Sequence, residues 1–354
     1  MKFVSVVGAR PEFIQAMPVS QLLRSRHEEV LVHTGQHYDH QMSQRFFDEL
    51  PIPTPTYNLA VGAGSHAQQT AEILTRLEPL LLAEKPDAVI VRGDTNSTLG
   101  AALVASKLRL PLIHIEAGER SFNKAMPEEI NRLLVDAIAD LHFCVSQKAV
   151  KQLAAEGKID SVHWVGDVML DALRQMLPTV ANRVALLDQL AIQSGRYGLL
   201  TIHRAANVEN GERLQQIMTT FNQIEEAIIF PVHPRTRQAI AALGLPVADH
   251  IRLIEPVGYL DMLALAANAR IIATDSGGLQ REAFYLLTPC LTLRDETEWT
   301  ETVNTGWNRL VGADPVAIRA AWQHFAPPPA PPPLLGDGTA AWRIVEILEE
   351  TLGK

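Results

Sequence analysis

Cysteine is almost missing from this chain, with two in 354 residues, Cys144 and Cys290, each inside an apolar, strand-like run. That excludes a disulfide framework and reads as two reduced core thiols in a cytoplasmic protein. Neither CxxC nor HExxH spacing occurs, so no metal site is indicated. The loop after the first strand is Gly8-Ala9-Arg10-Pro11-Glu12 rather than GxGxxG, which weakens any dinucleotide-dependent redox reading. No apolar run approaches the roughly 18 residues needed to cross a bilayer. Phe3–Val7 is too short for a signal sequence and leads straight into Arg10. Basic clusters are also lacking, and the formal charge of −9 argues against nucleic acid as the main partner.

What remains is an ordinary globular composition, 47% apolar and 20% charged, in a chain longer than one core usually supports. Strand-like runs alternate with amphipathic helices. Lys2–Val7, Glu29–His33, Ala88–Val91, Leu112–Ile115, Leu141–Val145 and Val162–Val165 are strand-like in the first half, and Leu199–Ile202, Ala227–Val232, Ile271–Thr274 and Leu291–Leu293 in the second. This alternation predicts an α/β fold of two Rossmann-like, doubly wound parallel sheets. The expected domains are residues 1–167 and 168–338. A final helix, 339–354, follows the Pro-rich spacer Ala326–Pro333 and can pack back on the first domain.

The stretch Gly93–Arg132 holds the densest chemistry. Asp94 follows one apolar strand and Glu116 the next, while Glu128 and Glu129 follow Pro127 at a helix start. Ligands of open α/β sheets bind beyond the carboxyl ends of the strands, so Asp94 and Glu116 are expected to face one cavity. Structural roles are available too: an Asp there can cap the helix beginning near Thr95, and Glu128 can complement a helix dipole. Three acids in one short span point instead to proton transfer.

In the second half the strand ends carry His203-Arg204, His233-Pro234-Arg235, Asp275-Ser276-Gly277-Gly278 and Arg294-Asp295. Ser276-Gly277-Gly278 before a helix offers free N–H groups without obstructing side chains, which suits a phosphate. An ordinary glycine turn has the same sequence. One domain thus supplies carboxylates and the other phosphate-binding groups, with a nucleotide-linked ligand expected in the cleft between them and no bound redox or metal cofactor required.

Nine segments, GARPEFIQ (Gly8–Gln15), TGQHYD (Thr34–Asp39), GDTNST (Gly93–Thr98), HIEAGERSFNKAMPEEINR (His114–Arg132), VGD (Val165–Asp167), HRAAN (His203–Asn207), HPRT (His233–Thr236), DSGGLQREA (Asp275–Ala283) and RDETEW (Arg294–Trp299), resemble in order the motif series of the non-hydrolysing UDP-N-acetylglucosamine 2-epimerases. The resemblance implies a GT-B arrangement, an interdomain active site and usually a homodimer. It implies an isomerase that converts UDP-N-acetylglucosamine to UDP-N-acetylmannosamine through UDP elimination to a 2-acetamidoglucal and re-addition, supplying precursors for surface polysaccharide. Residue by residue, Asp94, Glu116, Glu128 and His203 match the catalytic set. Arg10, Gln15, Ser276, Gly277, Gly278 and Glu282 match substrate contacts, with Glu282 on the ribose. Gln36, His37 and His233 match a regulatory UDP-sugar contact. Three positions depart from the pattern: Gln15 replaces a usual Lys, Ala206 an acid and Trp299 an Arg. RDETEW and GLQREAFY also resemble the branch that acts on UDP-2,3-diacetamido-2,3-dideoxyglucuronic acid, which makes that uronate the second candidate substrate. The same residues also admit a GT-B glycosyltransferase, a hydrolysing epimerase or a non-catalytic UDP-sugar sensor.

Overall fold

The computed structural model describes residues 1–36, 50–329 and 333–353. The chain divides into two compact units, Met1–Gln175 with Pro333–Lys354, and Met176–Pro332. His37, assigned above to a regulatory contact, lies outside the described residues.

The first unit runs β1 (Lys2–Val7), α1 (Arg10–Arg26), β2 (Glu28–His33), β3 (Tyr57–Asn58), α2 (His66–Glu84), β4 (Ala88–Arg92), α3 (Asn96–Lys107), β5 (Leu112–Ile115), α4 (Pro127–Ile138), β6 (Leu141–Cys144), α5 (Gln147–Ala155) and β7 (Val162–Trp164). Helix α6 (Val168–Ala181) follows, and α15 (Ala340–Leu352) ends the chain. The strands form a wholly parallel sheet in the order β3-β2-β1-β4-β5-β6-β7. Near-continuous apolar strands such as Ala88-Val89-Ile90-Val91 suit a sheet covered on both faces. Alternate side chains part accordingly. Phe3, Ile90, Ile113 and Phe143 join Leu23 of α1 and Ile344, Val345 and Leu348 of α15. Val4, Val89, Val91 and Leu112 join Leu77 of α2, Ala101 of α3 and Val135 of α4 on the other face. Helix α15 is seated by Asp171, which accepts from the N–H groups of Ala340 (3.2 Å) and Ala341 (2.9 Å).

The second unit contains α7 (Val184–Gln189), β8 (Gly198–Thr201), α8 (Ala205–Val208), α9 (Gly211–Asn222), β9 (Ile228–Pro231), α10 (Pro234–Ala242), β10 (Ile251–Ile254), α11 (Tyr259–Asn268), β11 (Ile271–Thr274), α12 (Gly277–Tyr285), β12 (Cys290–Thr292), α13 (Thr300–Asn304), β13 (Asn308–Leu310) and α14 (Pro315–His324). Its sheet is also parallel, in the order β10-β9-β8-β11-β12-β13. Leu200, Phe230, Ile271, Leu291 and Trp322 lie in its larger core. Strand order reverses between β1 and β4 in one unit and between β8 and β11 in the other. At such switch points the connections leave on opposite faces and open a crevice beyond the strand ends.

Candidate active site

The switch point of the first unit is lined by the loops after β1 and β4. Glu12, in the first turn of α1 and buried, ties these loops together. Its Oε2 accepts from the N–H of Gly8 (2.6 Å) and Ala9 (3.0 Å), and its Oε1 from the hydroxyls of Thr95 (2.6 Å) and Thr98 (3.0 Å). Burial raises its carboxyl above the usual value, against the pull of these four donors. Gly8 passes so close that a Cβ there would lie 1.9 Å from Ser97 Oγ and 2.3 Å from Thr34 Oγ1. Gly8→Ala is therefore expected to cost about 1–3 kcal/mol as overpacking, read as a lower urea midpoint at unchanged slope.

Thr95, not Asp94, caps α3: its Oγ1 accepts from the N–H of Ser97 (3.1 Å) and Thr98 (3.3 Å). The capping role open to Asp94 is thus taken by its neighbour. The Asp94 carboxylate forms an ion pair with Arg132, and Asn131 Nδ2 donates to its carbonyl oxygen at 2.8 Å. Both partners belong to α4.

Glu116 leaves β5 with φ +69°, a left-handed conformation uncommon for a residue with a side chain. Because Arg92 and Ile115 are paired across β4 and β5, the turns carrying Asp94 and Glu116 are adjacent. Gln15, buried on α1, donates from Nε2 to Glu116 Oε2 at 2.5 Å. The neutral residue at this position therefore holds a candidate catalytic carboxylate.

Glu128 and Glu129 separate clearly. Burial would raise the Glu129 carboxyl, but the N–H and hydroxyl of Ser121, the N–H of Phe122 and Arg132 outweigh it and hold it below the usual range. Glu129 is thereby committed to the loop before α4. Glu128 is half-buried and lies four residues before Arg132, which puts it on the helix flank that reaches Asp94. Arg10 stands at the first position of α1. Gln36 is turned inward, its Oε1 accepting from Ser97 N (2.9 Å) and Ser97 Oγ (2.6 Å).

In the second unit the switch point is built around Asp275, which is fully buried and which the sequence names only as part of a strand end and a motif, without a role of its own. It accepts from the N–H of His203 (3.0 Å) and Arg204 (3.0 Å) and from Asn207 Nδ2 (3.0 Å), and its Oδ1 lies 3.0 Å from His203 Nδ1. Burial pushes its carboxyl up, but His203 and the other donors prevail and keep it below the ordinary value. The His203 side chain is 40% exposed, so with Nδ1 held by Asp275 its Nε2 remains available to a ligand. Ser276 caps α12, its Oγ accepting from Leu279 N at 3.3 Å. A Cβ on Gly277 would lie 2.5 Å from Glu298 Oε1. Glu282 is buried on α12 and accepts from the Tyr259 hydroxyl at 2.7 Å.

Not every polar strand end behaves alike. Asp295 is bound by Arg213 at 2.9 and 3.1 Å, and Arg294 pairs with Glu298 at 3.1 Å. Trp299 is buried, with the Arg281 guanidinium 3.9 Å from its ring centroid, so the aromatic residue there stacks on a cation. His233 caps α10, its Nδ1 accepting from Arg235 N at 3.2 Å. Burial first, then the charges of Arg235 and His203, lower its pKa. A cavity of about 320 Å³ opens beside His203, with Arg235, Glu209 and Gln238 in its wall.

The UDP-N-acetylglucosamine 2-epimerase family model matches residues 21–349. The chain belongs to this family of isomerases. A UDP-N-acetylglucosamine 2-epimerase homolog of Methanococcus maripaludis is 48% identical over 98% of this chain and 99% of its own length. The UDP-2,3-diacetamido-2,3-dideoxy-D-glucuronate 2-epimerase of Pseudomonas aeruginosa is 43% identical, with 98% and 99% covered. Among solved structures, that of the Methanocaldococcus jannaschii UDP-GlcNAc 2-epimerase in complex with UDP-GlcNAc and UDP matches with a TM-score of 0.91 at 41% identity, covering 99% of this chain and 100% of the other. The epimerase family thus shares with this chain the GT-B class of fold, two Rossmann-like parallel sheets. Among the described residues, no helix is long and apolar enough to cross a membrane.

Proposed function

We propose that the protein is a non-hydrolysing 2-epimerase of a UDP-2-acetamido sugar, interconverting UDP-N-acetylglucosamine and UDP-N-acetylmannosamine. The observation that carries this reading is the pairing of two chemistries at two switch points. Asp94 and Glu116 occupy adjacent turns beside the α4 start that carries Glu128, while the other sheet offers a carboxylate-held histidine and a Ser-capped glycine turn.

Inverting one carbon requires proton transfer at both of its faces, and three acids can supply it. In the proposed reaction the proton at carbon 2 leaves to one carboxylate while the bond from carbon 1 to the diphosphate oxygen breaks. This gives a 2-acetamidoglucal and UDP. Reprotonation on the opposite face and re-addition of UDP complete the inversion. His203 and Arg10 stabilise the charge on the departing diphosphate, Ser276, Gly277 and Gly278 hold it, and Glu282, fixed by Tyr259, takes the ribose hydroxyls. Gln15 acts on the sugar side through Glu116. Gln36, His37 and His233 form the regulatory contact, and the working assembly is a cytoplasmic homodimer, which light scattering of the purified protein checks.

Proton NMR of the protein with UDP-N-acetylglucosamine in heavy water is expected to show the manno epimer and deuterium at carbon 2 in both epimers. The diacetamido uronate is tested in parallel, because a relative named for that substrate is 43% identical over nearly the whole chain. Faster exchange with the uronate reassigns the substrate. Release of free N-acetylmannosamine indicates a hydrolysing enzyme, and no exchange with either sugar contradicts the reading.

A further inference from the structure

Strand β5 reads Leu112-Ile113-His114-Ile115, and the histidine is the polar exception in a fully buried strand. Alternation puts it on the side of Leu112, the face packed against Val135 of α4. An imidazole there is costly unless both nitrogens are satisfied. They are: Nδ1 lies 2.6 Å from Asp136 Oδ1 and Nε2 lies 2.8 Å from the carbonyl oxygen of Gly93. A carboxylate and a carbonyl can only accept, so both ring nitrogens donate and His114 is an imidazolium.

The counter-charge is fixed as firmly. Asp136 Oδ2 accepts from Arg120 Nη1 (2.6 Å) and from Gly118 N (3.1 Å). Burial pushes the Asp136 carboxyl up, yet His114 and Arg120 carry it down to about 2. Burial likewise pulls His114 down, and the charge of Asp136, its hydrogen bond, the Gly93 carbonyl and the charge of Glu116 lift it above its ordinary value. Other ionisable groups surround the pair: burial, then the charges of Asp136 and Glu119, push the Cys144 thiol up. His142 of β6 donates from Nε2 to the Asp136 carbonyl oxygen at 2.9 Å and is lowered, by burial first and in part by the charge of His114. Glu156 binds Arg120 from outside at 2.7 Å.

The pair reaches both acid-bearing turns. His114 holds the carbonyl of Gly93, whose φ of +62° sets the direction of Asp94. Asp136 holds the N–H of Gly118, which closes the turn begun by Glu116. A Cβ on Gly118 would lie 2.6 Å from the Ala149 carbonyl oxygen, so the close approach of this turn to α5 requires glycine. We infer that the buried His114–Asp136 ion pair is a positioning device, a charged brace that fixes the relative placement of Asp94 and Glu116 without touching substrate. The inference rests on the epimerase reading of those two acids.

The conservative variants separate this role from simple support of the fold. His114→Gln can still donate to the Gly93 carbonyl, whereas the shorter His114→Asn can reach Asp136 alone. The expected result is a kcat about tenfold below wild type for His114→Asn, a smaller loss for His114→Gln, and KM and the Kd for UDP within about twofold for both. The pH profile of kcat is expected to shift in both variants, because a fixed positive charge is gone from beneath the acids. A merely structural role predicts variants whose folded fraction drops while kcat per UDP-binding site and the pH profile stay as in wild type, and that outcome overturns the inference. If His114→Asn does not fold, His114→Gln decides, since it keeps the bond to the Gly93 carbonyl and loses the charge; a wild-type kcat per UDP-binding site with an unmoved pH profile there also overturns it. Failure of the wild type itself to exchange the carbon 2 proton counts against the epimerase reading instead.

Discussion

Glu116→Gln is expected to lower kcat for epimerisation about 10³-fold, within the range found when a positioned general acid or base is lost. The substitution is a clean one. Gln15 Nε2 donates to Glu116 Oε2 at 2.5 Å, and the carbonyl oxygen of an amide at residue 116 can accept the same hydrogen bond. Shape and the Gln15 hydrogen bond are retained, so the melting temperature should stay within a few degrees and KM should change little. What disappears is the capacity to take and return a proton. Deuterium incorporation at carbon 2, followed with the same samples, should fall in step with kcat. A variant that keeps a tenth or more of wild-type exchange removes Glu116 from the proton-transfer set.

Asp275→Asn should be nearly as damaging, and for two reasons at once. Four donors, the N–H groups of His203 and Arg204, Asn207 Nδ2 and the His203 ring, converge on this carboxylate. An amide has one acceptor oxygen and presents its NH₂ to the other donors. Disrupting a buried charged network in this way is expected to cost about 2–4 kcal/mol, read from urea unfolding. The His203 ring also loses the partner that fixes its tautomer, and kcat should fall on the order of 10²-fold even where the variant is fully folded. Acid unfolding provides a third readout. The folded Asp275 carboxyl titrates below its unfolded value, so its contribution is full above about pH 4 and is lost as pH falls through the folded value. The variant should lack that part of the acid sensitivity. Wild-type kcat and stability in Asp275→Asn would show that His203 needs no orienting partner.

The sequence made the parallel sheets readable because strands buried on both faces are apolar throughout: Leu112–Ile115 and Ile271–Thr274 are delimited by composition alone. It did not reveal β3, β10 or β13, two, four and three residues long, which have too little length or too few buried positions for a pattern and owe their existence to pairing with β2, β9 and β12. Asp94 and Glu116 are visible as acids at strand ends. The partners that give them direction, Arg132, Gln15 and the His114–Asp136 pair, become apparent only when α1 and α4 are laid against the strand ends. His114 left one trace, a lone polar residue in the run Leu-Ile-His-Ile. Asp275 left another, directly before the glycine turn, but a strand-end Asp is also common as a cap, and here the neighbouring Ser276 holds that role. Glu128 and Glu129 look the same by local pattern. The choice between them came from family resemblance, and the contacts of Glu129 with Ser121, Phe122 and Arg132 supply a physical reason for it.

In the proposed reaction, carbon–oxygen cleavage at the diphosphate is coupled to proton transfer by the carboxylates. UDP-N-acetylglucosamine carrying oxygen-18 in the bridge between the sugar and the β-phosphate tests that coupling directly, with phosphorus NMR reporting the label and proton NMR reporting carbon 2. The account predicts that the label moves out of the bridge into the other β-phosphate oxygens as deuterium enters carbon 2. Deuterium entering while all of the label stays in the bridge, or no exchange of either kind, would contradict it.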